Sequence, residues 1–163
     1  MLRQGLFFAM RGRERKGVTY KAVRTLSPVE AGYLAGLIDG EGTITLSRRH
    51  RDDQRQLVVT ISNNEKTILY HVLMTVGAGR ITGKRNYSEA HAPSFTYVIG
   101  NRQALDLLRQ VAAYLKSYKA NRANLALSQY ISLTPRNGKY TPTLWTARET
   151  FIREFLKLKP PRE

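Results

Sequence analysis

One segment limits the possible architecture more than any other: a helix rich in small residues that runs, without a spacer, into two alternating stretches. Ser27 is a candidate N-cap, Pro28 suits the first helical position, and Glu30 completes an S-x-x-E capping box. The helix continues to Asp39 or Gly40. Ala31, Gly32, Ala35 and Gly36 form a flank of small side chains on which a second such helix can pack closely, while Leu34, Leu37 and Ile38 are left for the body of the domain. Gly40-Glu41-Gly42 ends the helix, the glycines releasing the backbone. Glu41 is thereby set at the helix tip, beside open carbonyl oxygens.

The next two segments have the period of half-buried strands. Thr43 to Arg49 alternates, with Ile44 and Leu46 on one face. Gln56 to Ser62 alternates with Leu57, Val59 and Ile61 apolar, and His50 to Arg55 links the two as a hairpin. A helix from Glu65 to Val76 carries Ile68, Leu69, Val72, Leu73 and Val76 on one side and stops at Gly77-Ala78-Gly79. A second hairpin pairs Arg80–Lys84 with Phe95–Ile99. Asn101 is a candidate cap for a helix bearing Leu105, Leu108, Ala112 and Leu115. Further helices are expected from about Lys119 to Ser132 and from Leu144 to Leu156, separated by an Asn137-Gly138 loop and closed by Pro160-Pro161.

The expected fold is therefore α+β: an αββαββα unit with a four-stranded antiparallel sheet, followed by C-terminal helices. A single domain over residues 27–159 follows a basic extension, residues 1–26, for which an arm lying on nucleic acid, a loose terminus and a transit peptide all remain open. One face of the sheet is apolar. The other carries Thr, Ser, Gln, Arg and Lys, and a β-ribbon of that kind fits the major groove of DNA.

Charge narrows the partners. The 163 residues hold 27 Lys+Arg against 12 Asp+Glu, a net charge of +15. That excess suits a polyanion such as DNA, RNA or an anionic membrane. No apolar run approaches the length of about 18 residues that a membrane span needs. There is no cysteine, so thiolate metal sites and disulfide scaffolds are excluded, and His50, His71 and His91 lack the spacing of a zinc motif. A carboxylate beside carbonyl oxygens, as at Glu41, instead suits a hard divalent cation.

Leu34 to Gly42 reads Leu-Ala-Gly-Leu-Ile-Asp-Gly-Glu-Gly. This resembles the LAGLIDADG motif, with Gly40 and Glu41 in its seventh and eighth places, and the likeness extends more loosely from Ser27 to Ser132. The chain thus resembles the single-motif LAGLIDADG homing endonucleases. The resemblance implies a homodimer in which paired motif helices meet through Ala31, Gly32, Ala35 and Gly36. It implies that Glu41 and Glu41 of the second subunit share divalent metals, Mg²⁺ or Mn²⁺, with the Gly40 carbonyl as a further ligand. Asp39, at the sixth place, is structural in the family. Glu65 takes the place of a polar residue that organises water near the scissile phosphate; alternatively it is an acid favoured by the start of its helix. Lys119, upstream of an Ala-Asn pair, would stabilise charge on phosphate, with Lys116 competing for that role.

The implied activity is metal-dependent hydrolysis of both strands of a long, roughly palindromic DNA site, inside the cell wherever the intron-bearing genome resides. Geometry agrees on the length. A seven-residue strand spans roughly 23 Å, so two subunits would track about 13 base pairs at about 3.4 Å each. Candidate DNA contacts are Thr45, Ser47, Arg49, Gln56, Thr60, Ser62, Arg80, Thr82, Lys84 and Thr96. The rival readings are an intron RNA maturase and a non-catalytic DNA-binding protein on the same scaffold.

Overall fold

In the computed structural model, which describes residues 21–48, 50–83 and 93–160, the first helix forms as its caps dictate. Helix α1 spans Pro28–Glu41. The Ser27 hydroxyl accepts from the Glu30 amide at 3.2 Å while the Glu30 carboxylate accepts from the Ser27 amide at 2.7 Å, so both halves of the capping box are made. Strand β1, Gly42–Ser47, follows at once, then β2 (Gln56–Asn63), helix α2 (Lys66–Val76), β3 (Arg80–Gly83), β4 (Phe95–Gly100), α3 (Asn101–Val111), a 3-10 turn at Ala112–Tyr114, α4 (Lys119–Gln129) and α5 (Pro142–Lys157). The expected order of elements is observed.

The four strands form one antiparallel sheet in the order β1-β2-β4-β3. Ile44, Val59 and Ile99 lie in one cross-strand row; Ile61, Tyr97 and Ile81 lie in the next. This face packs on the helices, and its Ile44, Leu46, Leu57, Val59, Ile61, Tyr97 and Ile99 are buried. Tyr97 shows how tightly. Its hydroxyl donates to the Ala78 carbonyl at 2.7 Å, burial pushes its phenol far above the usual range, and Gly79, at φ 95°, passes directly over the ring. A Cβ at Gly79 would stand 2.8 Å from that ring, so the turn into β3 requires glycine.

Three local expectations are corrected. Asn101 does not cap α3: Gly100 occupies that position, and Asn101 is the first helical residue, at φ 54°. Its amide is drawn elsewhere, donating to Gln56 Oε1 and accepting from the Tyr130 hydroxyl at 2.8 Å. The helix also stops at Val111, so Leu115 is buried outside it. Helix α4 ends at Gln129 rather than Ser132.

The stretch 21–26, assigned above to the extension, is hydrogen-bonded to the body. The Arg24 amide donates to Val76 O, and Gln110 joins Arg24 O and the Leu26 amide. Among the described residues no helix is long and apolar enough to cross a membrane.

Candidate nucleic-acid interface and metal site

The tip of α1 is built by an unusually close passage. At Gly42 the chain leaves the helix for β1, and a Cβ there would lie 2.7 Å from Ile38 Cα and 3.0 Å from the Thr60 carbonyl. Both obstacles are backbone, so only glycine fits. Glu41, the last helical residue, is exposed at the edge of the sheet. It borders a depression of about 280 Å³ together with Ser62, Asn63, Asn64 and Ser94, all oxygen-bearing residues.

Beneath this tip sits Lys119. It is 7% exposed, and its Nζ donates to the carbonyls of Ile38 and Asp39, both at 2.8 Å. A cation at a helix C-terminus is favoured by the helix dipole and satisfies carbonyls that have no partner in the helix. Burial lowers the pKa of the ammonium, the Asp39 charge partly offsets this, Arg122 lowers it further and Glu41 raises it. Asp39 is fully engaged on its own side: its carboxylate accepts from the Lys116 amide at 2.7 Å and from both the amide and the hydroxyl of Ser117. Burial raises the Asp39 pKa, but the hydrogen bonds from Ser117 and Lys116, with the charge of Lys119, outweigh it and hold the carboxyl below its ordinary value. Asp39 and Lys119 thus clamp the end of α1 to the segment leading into α4, and Glu41 alone is left outward.

The sheet's second face is open. The register sets its rows: Ser47 with Gln56, Thr45 with Val58, Thr43 with Thr60, Val98 and Arg80, then Ser62 with Thr96 and Thr82. The last row lies at the Glu41 end. Eight of the expected contacts, Thr45, Ser47, Gln56, Thr60, Ser62, Arg80, Thr82 and Thr96, therefore share this face. Thr96 is the least available, being buried with its hydroxyl 2.9 Å from that of Ser62. Arg49 and Lys84 lie outside the described residues, as do residues 1–20. The alternation that selected polar positions passed over Val58 and Val98, which occupy the same face and whose methyl groups suit contact with thymine. Asn63 and Asn64, at the end of β2, were also missed; only the strand's end position could have pointed to them.

Other expected site residues are placed differently. Ala31 and Ala35 are 3% and 0% exposed, in the core of their own chain, so they cannot meet a second subunit. They share with Leu34 and Ile38 the face of α1 that packs on the sheet and α3. The outward stripe is Val29, Tyr33, Gly36 and Gly40, with Gly32 half-buried beside it. Glu65 is exposed at the N-cap of α2, makes no capping bond with its side chain and does not border the depression at Glu41. Lys116 is exposed and meets Asp39 through its amide alone. Among the described residues no three His, Cys, Asp or Glu side chains gather as a metal site. The sole ion pair among them is Arg109–Asp106 at 2.8 Å, so most of the cationic side chains have no carboxylate to neutralise them.

Comparison with known proteins agrees with this fold. The family model of the LAGLIDADG-like domain matches residues 28–121, more than half of the chain. No curated protein sequence matches it. Among solved structures, the homing endonuclease I-CvuI in complex with its target in the presence of calcium superposes with a TM-score of 0.66 at 20% identity, over 83% of this chain and 85% of that one. The archaeal intron-encoded homing endonuclease I-Vdi141I, complexed with DNA, gives 0.55 at 17% identity over 83% and 87%. The meganuclease I-SmaMI, bound to uncleavable DNA, gives 0.58 at 14% identity, over 79% of this chain and 44% of that one. At such identities the superpositions speak for the fold, and the sequence model speaks for kinship: the chain belongs to the LAGLIDADG family, of whose motif it carries one copy at Leu34–Gly42.

Proposed function

We propose that the protein is a homodimeric, site-specific endonuclease that hydrolyses both strands of a DNA duplex with divalent metal ions at Glu41. The observation that carries this reading is the isolation of Glu41. It is the one motif acid left outward, it stands where the open sheet face ends, and oxygen donors surround it. The solved relatives named above are described as DNA endonucleases or as complexes with DNA.

The donor chemistry fits a hard cation: a carboxylate, the nearby Gly40 carbonyl and side-chain oxygens of Ser62, Asn63 and Asn64, with no sulfur or imidazole. A bound Mg²⁺ or Mn²⁺ would supply an activated water and neutralise charge on the phosphate. One chain offers a single free carboxylate for this, which argues for a second copy. The outward stripe of α1 supports the same conclusion. Val29 is 82% exposed and Tyr33 45%, although an α-helix apolar on all sides is normally buried. Cβ atoms added at Gly36 and Gly40 would meet nothing within 4 Å, so the chain's own packing does not require those glycines. Close approach of a second α1 does.

The remaining residues hold and orient. Lys119 and Asp39 fix the end of α1, so Glu41 projects from a rigid support. Two of the Lys119 ammonium's hydrogens are already given to carbonyls, so its action on a phosphate is through its field rather than as a free arm. The sheet rows read the grooves, and the unneutralised Lys and Arg side chains supply sequence-independent attraction to phosphate.

Incubating the protein with a plasmid library, with and without Mg²⁺, and sequencing the cut ends tests the proposal. Clustered cuts at one long, roughly palindromic site, dependent on Mg²⁺, are expected. Tight binding of DNA without cuts refutes the catalytic assignment, and specific binding of RNA alone points to a maturase.

A further inference from the structure

We infer that the far end of the sheet carries a second, non-catalytic site: a pocket that takes a phosphate group, supplied by the DNA backbone at the outer edge of each half-site. The choice of DNA as the source rests on the proposed endonuclease reading. The pocket itself rests on four observations.

A cavity of about 480 Å³ opens between the start of β2, the start of α3 and the loop before α5. That volume is many times the roughly 30 Å³ of a water molecule. Its floor includes Arg148, which is 1% exposed. The guanidinium donates to the Leu133 and Arg55 carbonyls and to the Thr134 hydroxyl, and lies 5.4 Å from the centre of the Tyr130 ring and 5.7 Å from that of Tyr140. All these partners are neutral. Its Nε, also buried, has no partner among the described residues. A buried cation without a counter-charge is costly, and an unpaired buried donor is uncommon enough to need a reason.

The rest of the wall has the same sign. Arg55, Arg102 and Arg136 line it, and no lining residue is acidic. Helix α3, eleven residues long, starts at this wall with Gly100 at the N-cap, no side-chain cap and no acid in its first turn. Its first residues, Gly100 to Gln103, thus line the cavity at a helix start that no acid neutralises, and a helix N-terminus of that kind favours phosphate. The floor and the helix start are locked together: the Tyr130 hydroxyl accepts from the Leu57 amide and donates to Asn101, whose φ of 54° sets the entry into α3.

The location selects the source. Gln56 lines the cavity and also begins the open face of β2. Glu41 lies at the other end of the same strand, beyond Ser62, so the pocket is displaced from it by most of an eight-residue strand, about 20 Å. A duplex lying along the sheet reaches the pocket only if it extends outward from the cleavage centre. A phosphate held there would set the register of the duplex and contribute no base reading.

The test uses the full chain, inorganic phosphate and two duplexes sharing the cleavage site, one of about 10 and one of about 24 base pairs at about 3.4 Å each. The test variant is the double substitution Arg102→Ala and Arg136→Ala at the rim, because Arg148→Met risks the fold. Phosphate should raise the melting temperature of the wild type above that in chloride at matched ionic strength, and should do so much less in the double variant. The double variant should bind the long duplex about tenfold more weakly and the short one unchanged, the loss expected for charge-assisted hydrogen bonds. Loss confined to the long duplex upholds the backbone assignment even without a phosphate shift. A phosphate shift lost in the variant, with both duplexes bound as by the wild type, overturns that assignment and makes the ligand a free phosphate. No shift and no loss overturns the pocket. Failure of the wild type to bind any duplex instead sinks the endonuclease reading, while the phosphate arm still reports on the pocket.

Discussion

Gly36→Leu separates the subunit's own stability from its association. Within the chain the substitution meets open space, since a Cβ at Gly36 has no neighbour within 4 Å and the residue is exposed. It lies inside α1, where replacing glycine with leucine favours the helix by about 0.5–1 kcal/mol. That corresponds to a rise of about 2–4 °C per kcal/mol for a chain of this size. In the proposed dimer, association should be affected in the opposite direction. A two-fold axis between paired α1 helices would bring the added side chain into the contact twice. Overpacking at each costs about 1–3 kcal/mol, so the dimer should weaken by about 2–6 kcal/mol, from about thirty-fold to about twenty-thousand-fold in dissociation constant. Sedimentation at graded concentrations, with thermal melting on the same samples, measures both terms. A folded monomer is expected. A dimer with the wild-type dissociation constant refutes the interface, and an unfolded monomer refutes the claim that Gly36 faces open space in a self-sufficient domain.

Three further outcomes are expected. Glu41→Gln should retain DNA binding and lose cleavage by at least about two to three orders of magnitude, as loss of a charge-stabilising group at the reacting centre does; gel-shift and plasmid-cleavage assays on one preparation check it, and full cleavage rules the assignment out. Lys119→Met should slow cleavage less, and should also cost about 1–3 kcal/mol in stability, because two carbonyls of α1 lose a charged donor; unchanged melting contradicts the clamp. For Asp39 the folded pKa lies below the ordinary 3.8, so its contribution is complete above that pH and is lost as pH falls through the folded value. Asp39→Asn should therefore be less stable than the wild type near pH 6, with the gap closing below about pH 3.8; a gap that is constant with pH shows that the charge is not what Ser117 and Lys116 hold.

Much of this protein was legible in the order of its residues. The capping box at Ser27–Glu30, the period-two strands and the motif at Leu34–Gly42 are local signals, and the α1-β1-β2-α2-β3-β4 order follows from them. The open face of the sheet was legible for the same reason: alternation puts Thr45, Ser47, Thr60 and Ser62 opposite the apolar row whatever the sheet packs against. What a residue faces across the fold was not. Small residues at Ala31 and Ala35 read like a surface for a second helix, yet they lie against their own sheet, because one-dimensional spacing gives the faces of a helix but not which neighbour covers each. Lys119 is far from Ile38 in sequence, and only the packing of α4 brings its ammonium under the helix tip. Nothing local in the sequence sets Arg148 apart from the other basic residues of its helix. Its burial without a carboxylate, between Tyr130 and Tyr140 and behind the start of α3, is a property of three segments brought together. Periodicity fixes which way a side chain leaves its own element, and only the tertiary structure decides what charge it then meets.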